Sequence, residues 1–234
     1  MKKITSPIIL ALDTDDLATA QAWIESTQES IDIYKVGLEF FLKYGSLGLK
    51  ELRSVTEFEL FLDLKLHDIP NTVAGATASI RELTPRFLTV HASGGAAMVR
   101  AAALAAPEIA ITGVTVLTSL DEEELSLMGV DQGPLQFALK LAKRAVAAGA
   151  RAIVSSPLEV AAIRAEVGGE IELITPGVRP AGSAPGDQSR VMTPQEAMAA
   201  GANFLVIGRP ISSYYQYSPE AMRERAAEIR ESLR

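Results

Sequence analysis

Glu59-Leu-Phe-Leu-Asp-Leu-Lys-Leu66 is an eight-residue run, apolar except at Glu59, Asp63 and Lys65. Bulky apolar residues in succession, rather than in strict alternation, suit a parallel strand buried on both faces. Seven comparable runs lie on either side of it: Pro7–Asp13, Ile31–Gly37, Phe87–Ala92, Ala110–Leu117, Ala152–Ser155, Glu172–Val178 and Phe204–Gly208. The eight recur roughly every 25–35 residues with helical patterns between them, the repeat length of an α/β (β/α)₈ TIM barrel. That spacing predicts eight parallel strands with surrounding helices, in one domain over residues 1–234.

The intervening segments carry helix signals. Thr193-Pro-Gln-Glu196 is a capping box with proline at the first helical position, and Ser156-Pro-Leu-Glu159 repeats the device. In the first helix Leu17, Ala20 and Ile24 share one face and Trp23 borders it as packing. Two insertions interrupt the repeat. Arg179–Arg190, rich in Gly, Pro and Ser, follows the seventh run, where so long a loop is either a functional lid or an idle insertion. Asp121–Pro134 follows the fifth and is expected to add helix.

Composition narrows the function. The 234 residues include 22 Lys+Arg and 29 Asp+Glu, a formal net charge of −7, which opposes a general nucleic-acid binder. Without cysteine there is no thiolate zinc site and no thiol nucleophile, and His67 and His91 are too few for an imidazole cluster. No metal and no cofactor are expected. Met1-Lys-Lys3 is basic, but Ile8–Leu12 is too short for a signal-peptide core, and no apolar stretch reaches about 18 residues. The expectation is a cytoplasmic protein with no membrane segment.

A barrel works at the carboxyl ends of its strands. Those ends supply Asp13, Lys35, Asp63, Lys65, His91, Thr118, Pro176, Gly208 and Arg209. Asp63 and Lys65, two apart on a strand, face one side, while Leu62, Leu64 and Leu66 face the helices. With Lys35 on the neighbouring strand and Asp68 just beyond, four alternating charges gather at one mouth. Such a set is either a structural ion-pair network or a site, and the cost of inward charge favours a site. Gly208-Arg209 after the eighth strand suits a phosphate, with Gln188 of the lid as an amide donor. His67 fits a role orienting a loop or carboxylate, and His91 that of a hydrogen-bonded rim residue.

Asp63-Leu-Lys-Leu-His-Asp-Ile-Pro-Asn-Thr72 resembles the signature of the orotidine 5′-phosphate decarboxylase family. Ile33–Glu39, Val90–Gly95, Ile174–Arg179 and Val206–Pro210 extend the resemblance over most of the chain in family order. It implies cofactor-free loss of CO2 from orotidine 5′-phosphate to give UMP, the last step of de novo pyrimidine synthesis. Lys35, Asp63, Lys65 and Asp68 match the charged catalytic tetrad, with Lys65 protonating C6. The resemblance places Asp13 and Lys35 at the ribose hydroxyls, Thr118 near the pyrimidine and Pro176 as an apolar wall. Arg179, Gln188, Gly208 and Arg209 match lid and phosphate contacts, and His67, Ile69, Pro70 and Asn71 fall within the signature. Asp68 and Thr72 would enter the partner subunit's site, which implies a homodimer. Two alternatives remain: a Mg²⁺-dependent phosphosugar decarboxylase or epimerase using Asp63 and Glu39, and a barrel that binds a phosphometabolite without chemistry.

Overall fold

The computed structural model describes residues 4–180 and 192–234. Eight parallel strands, β1 (Ile8–Ala11), β2 (Ile33–Gly37), β3 (Glu59–Leu66), β4 (Phe87–His91), β5 (Ala110–Val114), β6 (Ala152–Val154), β7 (Glu172–Pro176) and β8 (Phe204–Ile207), form a closed barrel in chain order. Closure comes from β1, which pairs with β2 on one side and β8 on the other. All eight expected runs are strands. Several end earlier than expected, because their last residues bend into the loops that carry polar groups; the fifth stops at Val114 rather than Leu117.

The main helices lie between successive strands: α1 (Leu17–Thr27), α2 (Leu38–Val55), α3 (Pro70–Ser79), α4 (Ala96–Ala105), α5 (Glu122–Leu127), α6 (Pro134–Ala147), α7 (Val160–Val167) and α8 (Pro194–Ala199). A short α9 (Arg209–Ser212) and α10 (Pro219–Glu231) follow β8. The capping box at Thr193 is formed, with Glu196 Oε2 accepting from Thr193 N at 2.8 Å. The Asp121–Pro134 insertion does contribute a helix, α5. Gly45 (φ 58°) breaks α2 at a backbone angle that a residue with a Cβ rarely adopts. Among the described residues, no helix is long and apolar enough to cross a membrane.

Strand residues are buried on both faces. Ile8, Leu10, Tyr34, Leu60, Leu62 and Leu88 face the helices, together with Ala20 and Ile24 of α1, and Trp23 packs against this layer. Ile9, Ile33, Phe61, Phe87, Ala152, Ile174 and Phe204 fill the barrel interior. Phe87 meets Phe61 and Phe204 edge to face, each with ring centroids 5.7 Å apart, so three rings plug the lower barrel. Phe87→Ala would leave a void between strands that closure holds apart, at a cost of about 3–5 kcal/mol. A fall of that size in unfolding free energy in a urea titration is the expected result.

Candidate active site

Two residues above the aromatic plug, the same side-chain parity turns polar. Ile33 is followed by Lys35, Phe61 by Asp63 and Phe87 by Thr89, while Asp13 emerges just past β1. These groups form a chain of alternating charge. Lys35 Nζ lies 2.9 Å from Asp13 Oδ1 and 3.6 Å from Asp63 Oδ2, and Lys65 Nζ donates to the same Asp63 Oδ2 at 2.7 Å. The Asp63 and Lys35 side chains are only 11% and 12% exposed, whereas Lys65 is 32% and Asp13 65% exposed. The sheltered centre of the chain is therefore an ion pair, and its two ends open outward.

Burial alone would raise the Asp63 carboxyl. The Lys35 and Lys65 charges, with hydrogen bonds from Lys65 and Thr89, overcome it and hold the group below its ordinary value of 3.8. For Lys35 burial opposes the charge, but Asp13 and Asp63 outweigh it and raise the ammonium above its usual range. Above pH 3.8 Asp63 is ionised in folded and unfolded chains alike, and its contribution to stability is fully present. As pH falls through that value the unfolded chain takes up the proton first, so stability is lost towards the lower folded-state value. Asp63→Asn should flatten this acid loss while lowering stability at neutral pH, where Lys35 and Lys65 lose their counter-charge. Denaturant midpoints measured from neutral pH down to about pH 3 check both signs.

Lys65 does not sit on a regular strand. Its φ is +49°, the left-handed region, at a cost of about 1–3 kcal/mol for a residue with a Cβ. The β3–β4 pairing slips at this point, with Leu62 opposite Leu88 but Leu66 opposite Val90. The expected face-sharing of Asp63 and Lys65 is thus achieved through a bulge rather than through simple alternation. Leu62, Leu64 and Leu66 still pack towards the helices, as expected.

The charge chain lies in a cavity of about 390 Å³. Asp13, Lys35, Asp63, Lys65, Thr118, Pro176, Arg179, Gly208 and Arg209 all line it. Thr118 reaches the wall from the loop four residues beyond β5, not from a strand end. Val116, Ser155, Ser156 and Ser212 also line it and were not anticipated. The serines follow β6 and belong to α9, so their places after strand ends were the available signal. Val178 bridges Met192 and Arg179 N donates to Met192 O at 3.0 Å, which ties together the described residues on either side of 181–191. Gln188 lies outside the described residues, as do Met1, Lys2 and Lys3.

Asp68 stands apart from the cavity. Its Oδ1 accepts from Ile69 N at 2.6 Å, and among the described residues it forms no ion pair with Lys35 or Lys65. His67, Asp68, Ile69, Pro70, Asn71 and Thr72 form one exposed stretch after β3, with Ile69 67% exposed. One chain therefore gathers three of the four expected charges. His91 also differs from expectation: its ring lies 5.2 Å from that of His67, and among the described residues it makes no side-chain hydrogen bond. Burial, then the charges of His67 and Lys65, hold His91 below its ordinary 6.5, against the opposing pull of Asp63.

This architecture has known relatives. An orotidine 5′-phosphate decarboxylase from Thermobifida fusca (strain YX) is 57% identical over 210 residues, 89% of this chain and 90% of the relative. One from Frankia casuarinae is 47% identical over 224 residues, covering 88% and 82%. The crystal structure of the orotidine 5′-phosphate decarboxylase from Lactobacillus acidophilus superposes with a TM-score of 0.83 at 31% identity, over 97% of this chain and 99% of that one. The model of the Orotidine 5′-phosphate decarboxylase / HUMPS family matches residues 6–223. With this fold, this cavity and these relatives, the chain belongs to that family, and its relatives are carboxy-lyases.

Proposed function

We propose that the chain converts orotidine 5′-phosphate into UMP and CO2, the closing step of pyrimidine nucleotide synthesis, with Lys65 as the proton donor to C6. The observation that carries this is the alternating line Asp13–Lys35–Asp63–Lys65, which ends on a partly exposed ammonium inside a nucleotide-sized cavity. In the reaction the bond from C6 to the carboxylate breaks and its electron pair stays on C6. A proton from Lys65 Nζ then completes the C–H bond. One Lys65 N–H is committed to Asp63, and the ammonium's other two donors serve the substrate. Asp63 holds that ammonium in place while negative charge develops on the carbon.

Asp63 also lies where it can repel a substrate carboxylate. Two like charges about 4 Å apart interact by about 4 kcal/mol at an effective dielectric near 20. That amounts to about three decades of rate, against the accelerations of about 10⁶–10¹⁷ that enzymes reach. Fixed attraction of the developing carbanion to Lys65 must therefore carry more than repulsion does. Arg179, Arg209 and the backbone at Gly208, which line the cavity, are assigned to the phosphate, and Gln188, outside the described residues, is assigned as a further donor. Thr118 and Pro176 are assigned to the base, and Asp13 and Lys35 to the ribose.

The second subunit completes the site in this proposal, with Asp68 and Thr72 passing from each chain into its partner. Their exposure just after β3, next to the apolar Ile69, supports that assignment. Sedimentation as a monomer at micromolar concentration would remove it. The magnesium alternative is poorly served by the side chains: Asp63 is already held by two ammonium groups, which repel a cation, and Glu39 is exposed outside the cavity lining. The test of the function is an ultraviolet assay of orotidine 5′-phosphate consumption with EDTA present. Full activity is expected; no consumption, or loss of activity on chelation, would reject the proposal.

A further inference from the structure

Thr89, in the middle of β4, is fully buried and does not line the cavity. Between Leu62 and Leu66 β3 advances four residues, while β4 advances only two, from Leu88 to Val90. Thr89 is thus the one β4 residue facing Asp63-Leu64-Lys65. Its Oγ1 accepts a hydrogen bond from the Lys65 backbone N–H at 2.8 Å and donates one to Asp63 Oδ1 at 3.0 Å. The assignment of donors is unambiguous, because an amide N–H only donates and the hydroxyl has a single proton for the carboxylate.

We infer that Thr89 is a positioning residue for the reaction, a clamp that fixes the left-handed backbone of Lys65 and the carboxylate of Asp63 as one unit. The inference rests on the proposed role of Lys65 as proton donor. Burial by itself calls for no hydroxyl here: the flanking Leu88 and Val90 are apolar, and valine has nearly the same shape as threonine. A buried hydroxyl is costly unless bonded, and its two bonds go to the Asp63 carboxylate and the Lys65 backbone, the two residues whose side chains pair in the cavity. Without the hydroxyl the Lys65 N–H loses its acceptor and Asp63 loses a donor. The bulge is then free to relax towards ordinary strand geometry, which carries the ammonium off its line to the substrate.

The test compares Thr89→Val with Thr89→Ser. For Thr89→Val, kcat should fall about 100-fold, the penalty of roughly 1 Å of misplacement, with KM changed by less than about threefold. Thr89→Ser keeps the hydroxyl and should remain within about threefold of the parent kcat. A Thr89→Ala and Thr89→Ser pair repeats the comparison at smaller volume should Thr89→Val fold poorly. Hydrogen exchange at the Lys65 amide gives a readout independent of turnover: protection should drop about tenfold or more without the hydroxyl and persist in Thr89→Ser. A hydroxyl-free variant with parent-like kcat and amide protection would overturn the inference, and so would a serine variant as slow as valine. Inactivity of the parent towards orotidine 5′-phosphate would instead defeat the proposed function, and amide exchange would still judge the clamp.

Discussion

Lys65→Ala should lose UMP formation by about 10⁴-fold or more in kcat, the upper range for removing a positioned general acid, and more where electrostatic stabilisation goes with it. The lysine combines two roles that a bulk-water proton cannot replace. In the proposed mechanism its charge faces the developing carbanion before proton transfer, and its proton then quenches it. Nucleotide binding should survive, because Arg179, Arg209 and Gly208 lie on other strands' loops and need nothing from Lys65. Single-turnover formation of UMP, together with calorimetric affinity for UMP, separates the two effects. Turnover within about tenfold of the parent would remove Lys65 from the chemistry. In the same variant Asp63 loses one of its two ammonium partners, so its carboxyl should move upward from the depressed position it now holds.

Orotidine without its phosphate should be a poor substrate in kcat as well as in KM. Three charge-assisted hydrogen bonds to a phosphate, each contributing about 1.5–3 kcal/mol, sum to about 4.5–9 kcal/mol. At 1.36 kcal/mol per decade that is about three to seven orders of magnitude in kcat/KM. Part of this energy should align the ring against Lys65 and exclude water, and so appear only in the transition state. A steady-state comparison of the two substrates divides the loss between the parameters. A change confined to KM would mean that the phosphate anchors the substrate and contributes nothing to the chemical step.

Much of this was legible in the residues. Continuous apolar runs at a regular interval disclosed the barrel, because parallel strands between two packed layers leave few polar positions. Asp63 and Lys65 stood out since charge within such a run must be answered by a partner, and Lys35 answers it. What escaped was geometry set by pairing between strands. Nothing local in Leu-Asp-Leu-Lys-Leu announces a residue at φ +49°; the slip against β4 imposes it. Thr89 was hidden for the same reason, since a threonine within Phe-Leu-Thr-Val-His is an ordinary strand former until its two bonds are seen. The separation of Asp68 from the other charges arises where β3 ends and the chain turns into α3, carrying the following residues away from the mouth.

Barrel closure also governs how the chain is made. Ile8 pairs with Leu205, so the first strand to leave the ribosome has its last neighbour 197 residues away. At about 5–20 residues per second, β1 waits about 10–40 s with one edge open. Ribosomes that stall before Phe204 release a chain with an unsealed sheet, lacking Gly208 and Arg209 as well. Cotranslational quality control thus meets an all-or-none product: either a sealed cylinder with its cavity lining complete, or an open edge prone to pair with other chains.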